Sequence, residues 1–284
     1  MKKIKTMYSV PAVDRMLDIV EFLSSNRDPS GITELSKALK INTNSIFRIM
    51  KRLVERGYVE VDPGSGKYQL STKFFTIGMS LYTRFELRKS ARKHLEWLSS
   101  KTGETTQIHI PDKGQMLVLD TVVPHASYFL QVIPGSRVYY HCNAFGKAVL
   151  AFMDEKNVRK ILPKKLPSLT KNTITDINVF ISQLANVRKT GIAFDAEEYN
   201  YGVFCIGAPV FDIEGKAVAG LGITGLTGRY HSSDSKKIIR AVLETARKVS
   251  SETGYDGDYF AKLLSNYNSH TNYSKEKNKG SFSF

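Results

Sequence analysis

Five side chains between positions 43 and 51 have the types and spacing needed to read the edge of a nucleic-acid duplex. Thr43, Asn44, Phe47, Arg48 and Lys51 recur at three- and four-residue intervals, which puts them on one face of a helix. Asn and Arg can make bidentate hydrogen bonds to base edges, while Lys and Arg also neutralise phosphate. Ser45, near the start of the same stretch, is placed to donate to a phosphate where a helix N-terminus already favours negative charge. Lys67 falls in a predicted hairpin turn, where it would touch the DNA backbone or the minor groove.

A second concentration of chemistry runs from Tyr139 to Lys147 and leads into a predicted helix. Free backbone N–H groups of Ala144, Phe145 and Gly146 at that helix's positive end suit a carboxylate, and small residues let a ligand approach the backbone. Thr224 can add a hydroxyl. Cys142, Cys205, His109, His125, His141 and Asp195 supply the residue types of a nucleophilic, metal or redox site. They are scattered over many elements and show no CxxC or HxxxH spacing, so no catalytic residue, metal ligand or cofactor is predicted. The alternative is an enzyme, or a metal or redox sensor, built on Cys142, Cys205 and the nearby histidines.

The elements that must hold these residues follow from periodicity. Val13, Met16, Leu17, Val20 and Leu23 make one helical stripe, and Ile32, Leu35 and Leu39 a second. A third helix spans Thr43 to Glu55, with Ile46, Ile49, Met50 and Leu53 inward and Gly57 as its stop. Tyr58–Val61 and Tyr68–Leu70 alternate like strands around a Pro-Gly-Ser-Gly turn. Three helices followed at once by a hairpin predict a winged helix-turn-helix. A connecting helix is predicted from Phe74 to Arg88 and another from Ser90 to Thr102. Beyond Glu104, strands are expected at Gln107–Ile110, Met116–Val122, Tyr128–Val132, Cys205–Phe211 and Ala217–Thr224. Helices are expected at Ala144–Met153, Ile177–Lys189 and Ser233–Thr253. The class is α+β.

The 284 residues carry a formal net charge of +14, a balance that favours a polyanionic partner. Two cysteines make no disulfide framework and fit a reducing cytosol. No apolar run reaches the roughly 18–20 residues that span a bilayer. A cytoplasmic protein without a membrane partner is expected. Residues from about Ser265 to Phe284 are Ser-, Asn- and Lys-rich and are expected to be disordered.

Several segments resemble the IclR family of bacterial transcription regulators. They include Val13-Asp14-Arg15-Met16-Leu17, Ser45-Ile46-Phe47-Arg48-Ile49-Met50, Leu53-Val54-Glu55-Arg56-Gly57-Tyr58-Val59 and Gly146-Lys147-Ala148-Val149-Leu150-Ala151. Most specific are Asp195-Ala196-Glu197-Glu198-Tyr199 and Gly202-Val203-Phe204-Cys205-Ile206-Gly207-Ala208-Pro209. The resemblance implies a winged helix-turn-helix over 1–72, a linker helix over 73–89 and a GAF/PAS-like α/β effector domain with a mainly antiparallel sheet over 90–260. A basic tail covers 261–284. It further implies a DNA-binding regulator that represses or activates, binds double-stranded operator DNA and self-associates as a dimer or dimer of dimers; a repressor is expected over an activator. A small-molecule effector, a small carboxylate or related catabolite, would bind at Ser127, Leu130, Ala144, Phe145, Asp195, Val203, Cys205, Gly222 and Thr224.

Overall fold

The computed structural model describes residues 8–26, 28–83, 85–229 and 232–269. They form two compact units that meet in sequence between Phe85 and Glu86, each with its own core.

The first unit packs three helices under a small hairpin. Helix α1 (Pro11–Ser25) and helix α2 (Ile32–Leu39) bury Ile19, Leu23 and Leu35 against the inner face of α3 (Thr43–Glu55), which contributes Ile46, Met50 and Leu53. The turn between α2 and α3 is sharp. Lys40 takes a left-handed conformation, the Ser36 hydroxyl ties to the Ile41 carbonyl at 2.7 Å, and the Asn42 side chain caps α3 by accepting from Ser45 N at 2.8 Å. Strands β1 (Val59–Val61) and β2 (Tyr68–Leu70) pair antiparallel. Ser30 and Tyr68 exchange two backbone hydrogen bonds of 3.0 Å, which pins the hairpin to the segment ahead of α2.

Helix α4 (Thr72–Tyr82) stops short of the expected end at Arg88, and α5 (Glu86–Thr102) begins ahead of its expected start at Ser90. The predicted linker helix is thus divided. The Arg88 end already belongs to α5, which sinks Ala91, Leu95 and Leu98 into the second core.

The second unit is a six-stranded antiparallel sheet in the order β5-β4-β3-β8-β7-β6. Its strands are β3 (Thr105–Asp112), β4 (Gln115–Val122), β5 (Arg137–Val138), β6 (Ala193–Ala196), β7 (Val203–Phe211) and β8 (Ala217–Leu226). Strand side chains alternate between faces. Thr106 points to one side, where its hydroxyl reaches the Leu95 carbonyl of α5 at 2.9 Å. His109 points to the other, stacking on Phe145 of α6 (Ala144–Leu150) with ring centroids 4.2 Å apart. Helix α9 (Ser232–Glu252) packs with α5, and α8 (Ile177–Thr190) with α6. The helix α7 (Glu155–Ile161) lies between α6 and α8 in sequence.

Two glycines decide how closely α6 can lie on the sheet. A Cβ at Gly207 would come within 2.8 Å of the Ala144 carbonyl, and one at Gly220 would collide with the Phe145 carbonyl oxygen. Only a bare backbone lets the helix settle there.

Three expectations need correction. Tyr128–Val132 is no strand. Its Leu130 and Val132 carbonyls are taken by the Thr105 and Thr121 hydroxyls rather than by a ladder. The helix at Ala144 ends at Leu150 and not Met153, finishing in turns with Phe152 N on Val149 O and Met153 N on Leu150 O. The C-terminal segment expected to be disordered begins as a helix, α10 (Tyr259–Ser269), whose Phe260 is buried. Residues 270–284 of that segment lie outside the described residues.

Candidate DNA-reading face and effector site

The two groups of residues singled out by type occupy separate units. On α3, Thr43, Asn44, Phe47, Arg48 and Lys51 are exposed, while Ile46 and Met50 behind them are fully buried. The apolar side anchors the helix and leaves its polar side free. Phe47 stays 52 % exposed, a large apolar surface that folding alone does not use. Ser45 is half-buried and its hydroxyl oxygen accepts from Arg15 of α1 at 3.2 Å, so Arg15 joins the start of this face. Lys67 follows the hairpin turn that Asp62 closes by accepting from Ser65, and its ammonium lies 3.8 Å from Glu34.

In the second unit, strand register builds a polar row on the α6 side of the sheet. Asp195 lies opposite Cys205, Cys205 opposite Thr224, and Thr224 opposite Thr105. Gly222 lies one pair further on, opposite both Gly207 and Gln107. The row runs past the start of α6, so Ala144 and Phe145 form one wall. Thr105 Oγ1 donates to the Leu130 carbonyl at 2.7 Å, which ties the 123–134 loop to the end of the row. Val203 is half-buried against the same apolar cluster as Ala144, Phe145 and Cys205. Ser127 is exposed on the loop.

The start of α6 differs from the anion site expected of it. Asn143 caps the helix, and its side-chain oxygen accepts from Gly146 N at 2.8 Å, so one of the three N–H groups is already used. The close seating on Gly207 and Gly220 seals the helix start further.

Asp195 Oδ1 accepts from Glu198 N at 2.8 Å and Tyr199 N at 3.4 Å, closing the Asp-Ala-Glu-Glu-Tyr turn in which Glu197 is left-handed. Burial pushes its carboxyl up to about 6, against those hydrogen bonds and the attraction of Lys147. Burial also pushes the Cys142 thiol up to about 12 and the Cys205 thiol well above its ordinary value. It takes the His109 ring down to about 3. Thiols held protonated make poor nucleophiles and redox centres, and an imidazole pushed this far below neutral pH is too weak a base to take a proton from a substrate. Among the described residues no group of His, Cys, Asp and Glu is placed to hold a metal. An open depression of about 720 Å³ lies elsewhere on this unit, bordered by Lys165, Pro167, Lys171 and Thr175.

Lys147, Glu198 and Gln107 were not picked out as site residues from sequence, and His109 was picked out only as a candidate for an enzyme, metal or redox site. Lys147 is fully buried and donates to the Phe194 carbonyl at 2.9 Å and to Glu198, itself buried. This pair links α6 to the turn after β6 across 51 residues of chain, and no local pattern announces it. Gln107 and His109 join the row from β3. Their signal was legible, since alternation along Thr105–His109 puts both on one face.

An IclR helix-turn-helix domain matches residues 12–63, and the C-terminal domain of bacterial IclR transcriptional regulators matches residues 79–251. The chain belongs to the IclR family. Among IclR relatives, the DNA-binding transcriptional repressor YiaJ of Escherichia coli K12 is 30 % identical over 245 residues, 85 % of this chain and 87 % of that protein. The regulator KdgR of Dickeya chrysanthemi is 32 % identical over 249 residues, 87 % of this chain and 81 % of its own. The crystal structure of Thermotoga maritima IclR superposes with a TM-score of 0.73 at 28 % identity, over 86 % of this chain and 98 % of that one. IclR proteins are transcriptional regulators with a DNA-binding helix-turn-helix, not enzymes, so the reading of Cys142, Cys205 and the histidines as an enzyme's site is set aside. No helix among the described residues is long and apolar enough to cross a membrane.

Proposed function

We propose that this IclR-family chain is a cytoplasmic repressor that places α3 in the major groove of palindromic operator DNA, as a dimer or dimer of dimers, and releases or tightens its grip when a small acid binds the second unit. The observation that carries the first half is the exposed row Thr43, Asn44, Phe47, Arg48 and Lys51, held out by a buried Ile46–Met50–Leu53 face. Asn44 and Arg48 would read base edges. Lys51, Ser45 and the hairpin residue Lys67 would hold phosphates, as would Arg15 beside the helix start. The effector would sit on the Asp195–Cys205–Thr224 row, walled by Ala144 and Phe145, floored by Gly222, flanked by Val203 and covered by the loop bearing Ser127 and Leu130. Residues 1–72 would serve as the DNA-binding domain, the segment 73–89 as the connector and 90–260 as the effector domain. Coupling between two such sites is typically about 1–3 kcal/mol.

Selection of duplexes from a random library by the full chain tests this reading. An enriched two-fold symmetric sequence supports it, and a library that stays unenriched overturns it. Melting curves against small carboxylates, sugar acids and aromatic acids test the second half, because a ligand of the native state raises the melting temperature with the logarithm of its excess over Kd.

A further inference from the structure

Five buried groups form one polar line across the sheet: His109, Gln107, Thr224, Cys205 and Asp195. His109 Nε2 lies 2.7 Å from Gln107 Oε1, and Gln107 Nε2 donates to Thr224 Oγ1 at 2.6 Å. Thr224 Oγ1 is 3.2 Å from Cys205 Sγ, and Cys205 interacts with Asp195 across the β6–β7 pair.

The two ends fix the direction of every bond. An ionised carboxylate only accepts, so the Cys205 S–H donates to Asp195. The sulfur is then left to accept from the Thr224 hydroxyl. At the other end burial keeps the His109 ring neutral, with a single N–H. Gln107 Oε1 only accepts, so that N–H is on Nε2. His109 Nδ1 is then a bare lone pair, and it finds no hydrogen-bond partner among the described residues. A buried unpaired acceptor is better tolerated than a buried unpaired N–H. Stacking on Phe145 holds the ring in plane for this arrangement.

Thr224 has one proton and two lone pairs. The proton goes to Cys205 and one lone pair takes Gln107. What remains for a ligand is the other lone pair. We propose that Gln107 and His109 are specificity-determining residues of the effector site, holding Thr224 as an acceptor so that the effector must offer it a hydroxyl, which makes the effector a hydroxy acid rather than an unsubstituted carboxylate. The proposal rests on this row being the effector floor.

Two measurements on the full chain test it. Nitrogen-15 spectra of the histidine side chains, with His109 assigned through His109→Phe, should show a neutral ring protonated on Nε2 at neutral pH. A proton on Nδ1, or an imidazolium, overturns the proposal. Melting curves with the matched pairs glycolate and acetate, lactate and propionate, and gluconate and hexanoate supply the second test. A hydroxylated member should bind the parent at least about tenfold more tightly than its partner, because a site built around a hydroxyl rejects the analogue lacking it. That gap should shrink to within about threefold in His109→Phe, which keeps the stacked ring, and in Gln107→Met, which keeps side-chain length. If one variant fails to fold, the other carries the test. Equal binding of both members of a pair by the parent, or a preference that survives substitution, overturns the proposal and leaves the effector reading standing. No stabilisation by any probe removes both.

Discussion

Lys147→Met leaves Glu198 buried without its cation, and the size of the resulting loss can be worked from the structure. Lys147 is fully buried and Glu198 is 6 % exposed, so water screens neither. Lys147 gives hydrogen bonds to Glu198 Oε1 and to the Phe194 carbonyl, and Glu198 Oε2 has no hydrogen-bond partner among the described residues to take up the charge. Removing one member of such a pair costs about 3–5 kcal/mol, whereas replacing both by apolar residues of similar volume is close to neutral. For a domain of this size that corresponds to a fall of about 6–20 °C in melting temperature. Trp97, the chain's single tryptophan, sits on α5 of the second unit, with the Lys248 ammonium 4.6 Å from its ring centre. Its fluorescence therefore reports denaturant unfolding of that unit. Lys147→Met should unfold several kcal/mol more easily, and the double variant Lys147→Met/Glu198→Leu should recover most of the loss. A single variant within about 1 kcal/mol of the parent, or a double variant no better than the single, would refute the view that an uncompensated buried charge dominates.

Three further outcomes follow from the same region. Because burial raises the Asp195 carboxyl from 3.8 to about 6, its protonated form is favoured by folding. Its contribution is fully present below about pH 4 and is lost as pH rises through 6, with a total of about 3 kcal/mol. The parent should therefore gain more stability between pH 7.5 and pH 5 than Asp195→Asn, which can still accept from Glu198 N and Tyr199 N; parallel pH curves for the two would rule this out. Gly220→Ala drives a Cβ against the Phe145 backbone oxygen, so α6 must shift, and a loss of about 1–3 kcal/mol is expected in thermal melts. Unchanged melting would mean that the helix does not rest on that glycine. Cys142 and Cys205 should both resist a thiol reagent at pH 7.5 until the chain is unfolded, and labelling of the native chain at the rate of a free thiol would contradict their burial.

The first unit was nearly all legible in the sequence because its contacts are local. The stripes of α1, α2 and α3 follow the helical period, and Asn42, Gly57 and the turn from Asp62 to Gly66 punctuate them. The break between Tyr82 and Glu86 was missed because Thr83 and Phe85 carry no Gly or Pro signal. Tyr128–Val132 has the residue types of a strand, yet its carbonyls are satisfied by hydroxyls from neighbouring strands, a tertiary event. The four-residue β6 and the two-residue β5 are too short to show a period. In the second unit the motifs around Asp195 and Cys205 stood out, but their arrangement into one row with Thr224 and Gln107 exists only through strand register. Lys147 and Glu198 meet through the chain's return over the sheet, which no single-residue pattern encodes.

The most direct test of DNA reading by α3 is an equilibrium titration of the full chain against its selected duplex at several salt concentrations, comparing the parent with Arg48→Ala. For both proteins log K should fall steeply and linearly with log salt, since phosphate contacts release counterions. Loss of one bidentate base contact is worth about 1–3 kcal/mol, so Arg48→Ala should weaken the selected site by about tenfold or more while binding to unrelated duplex changes far less. Undiminished affinity of Arg48→Ala for the selected duplex would contradict α3 as the reading helix.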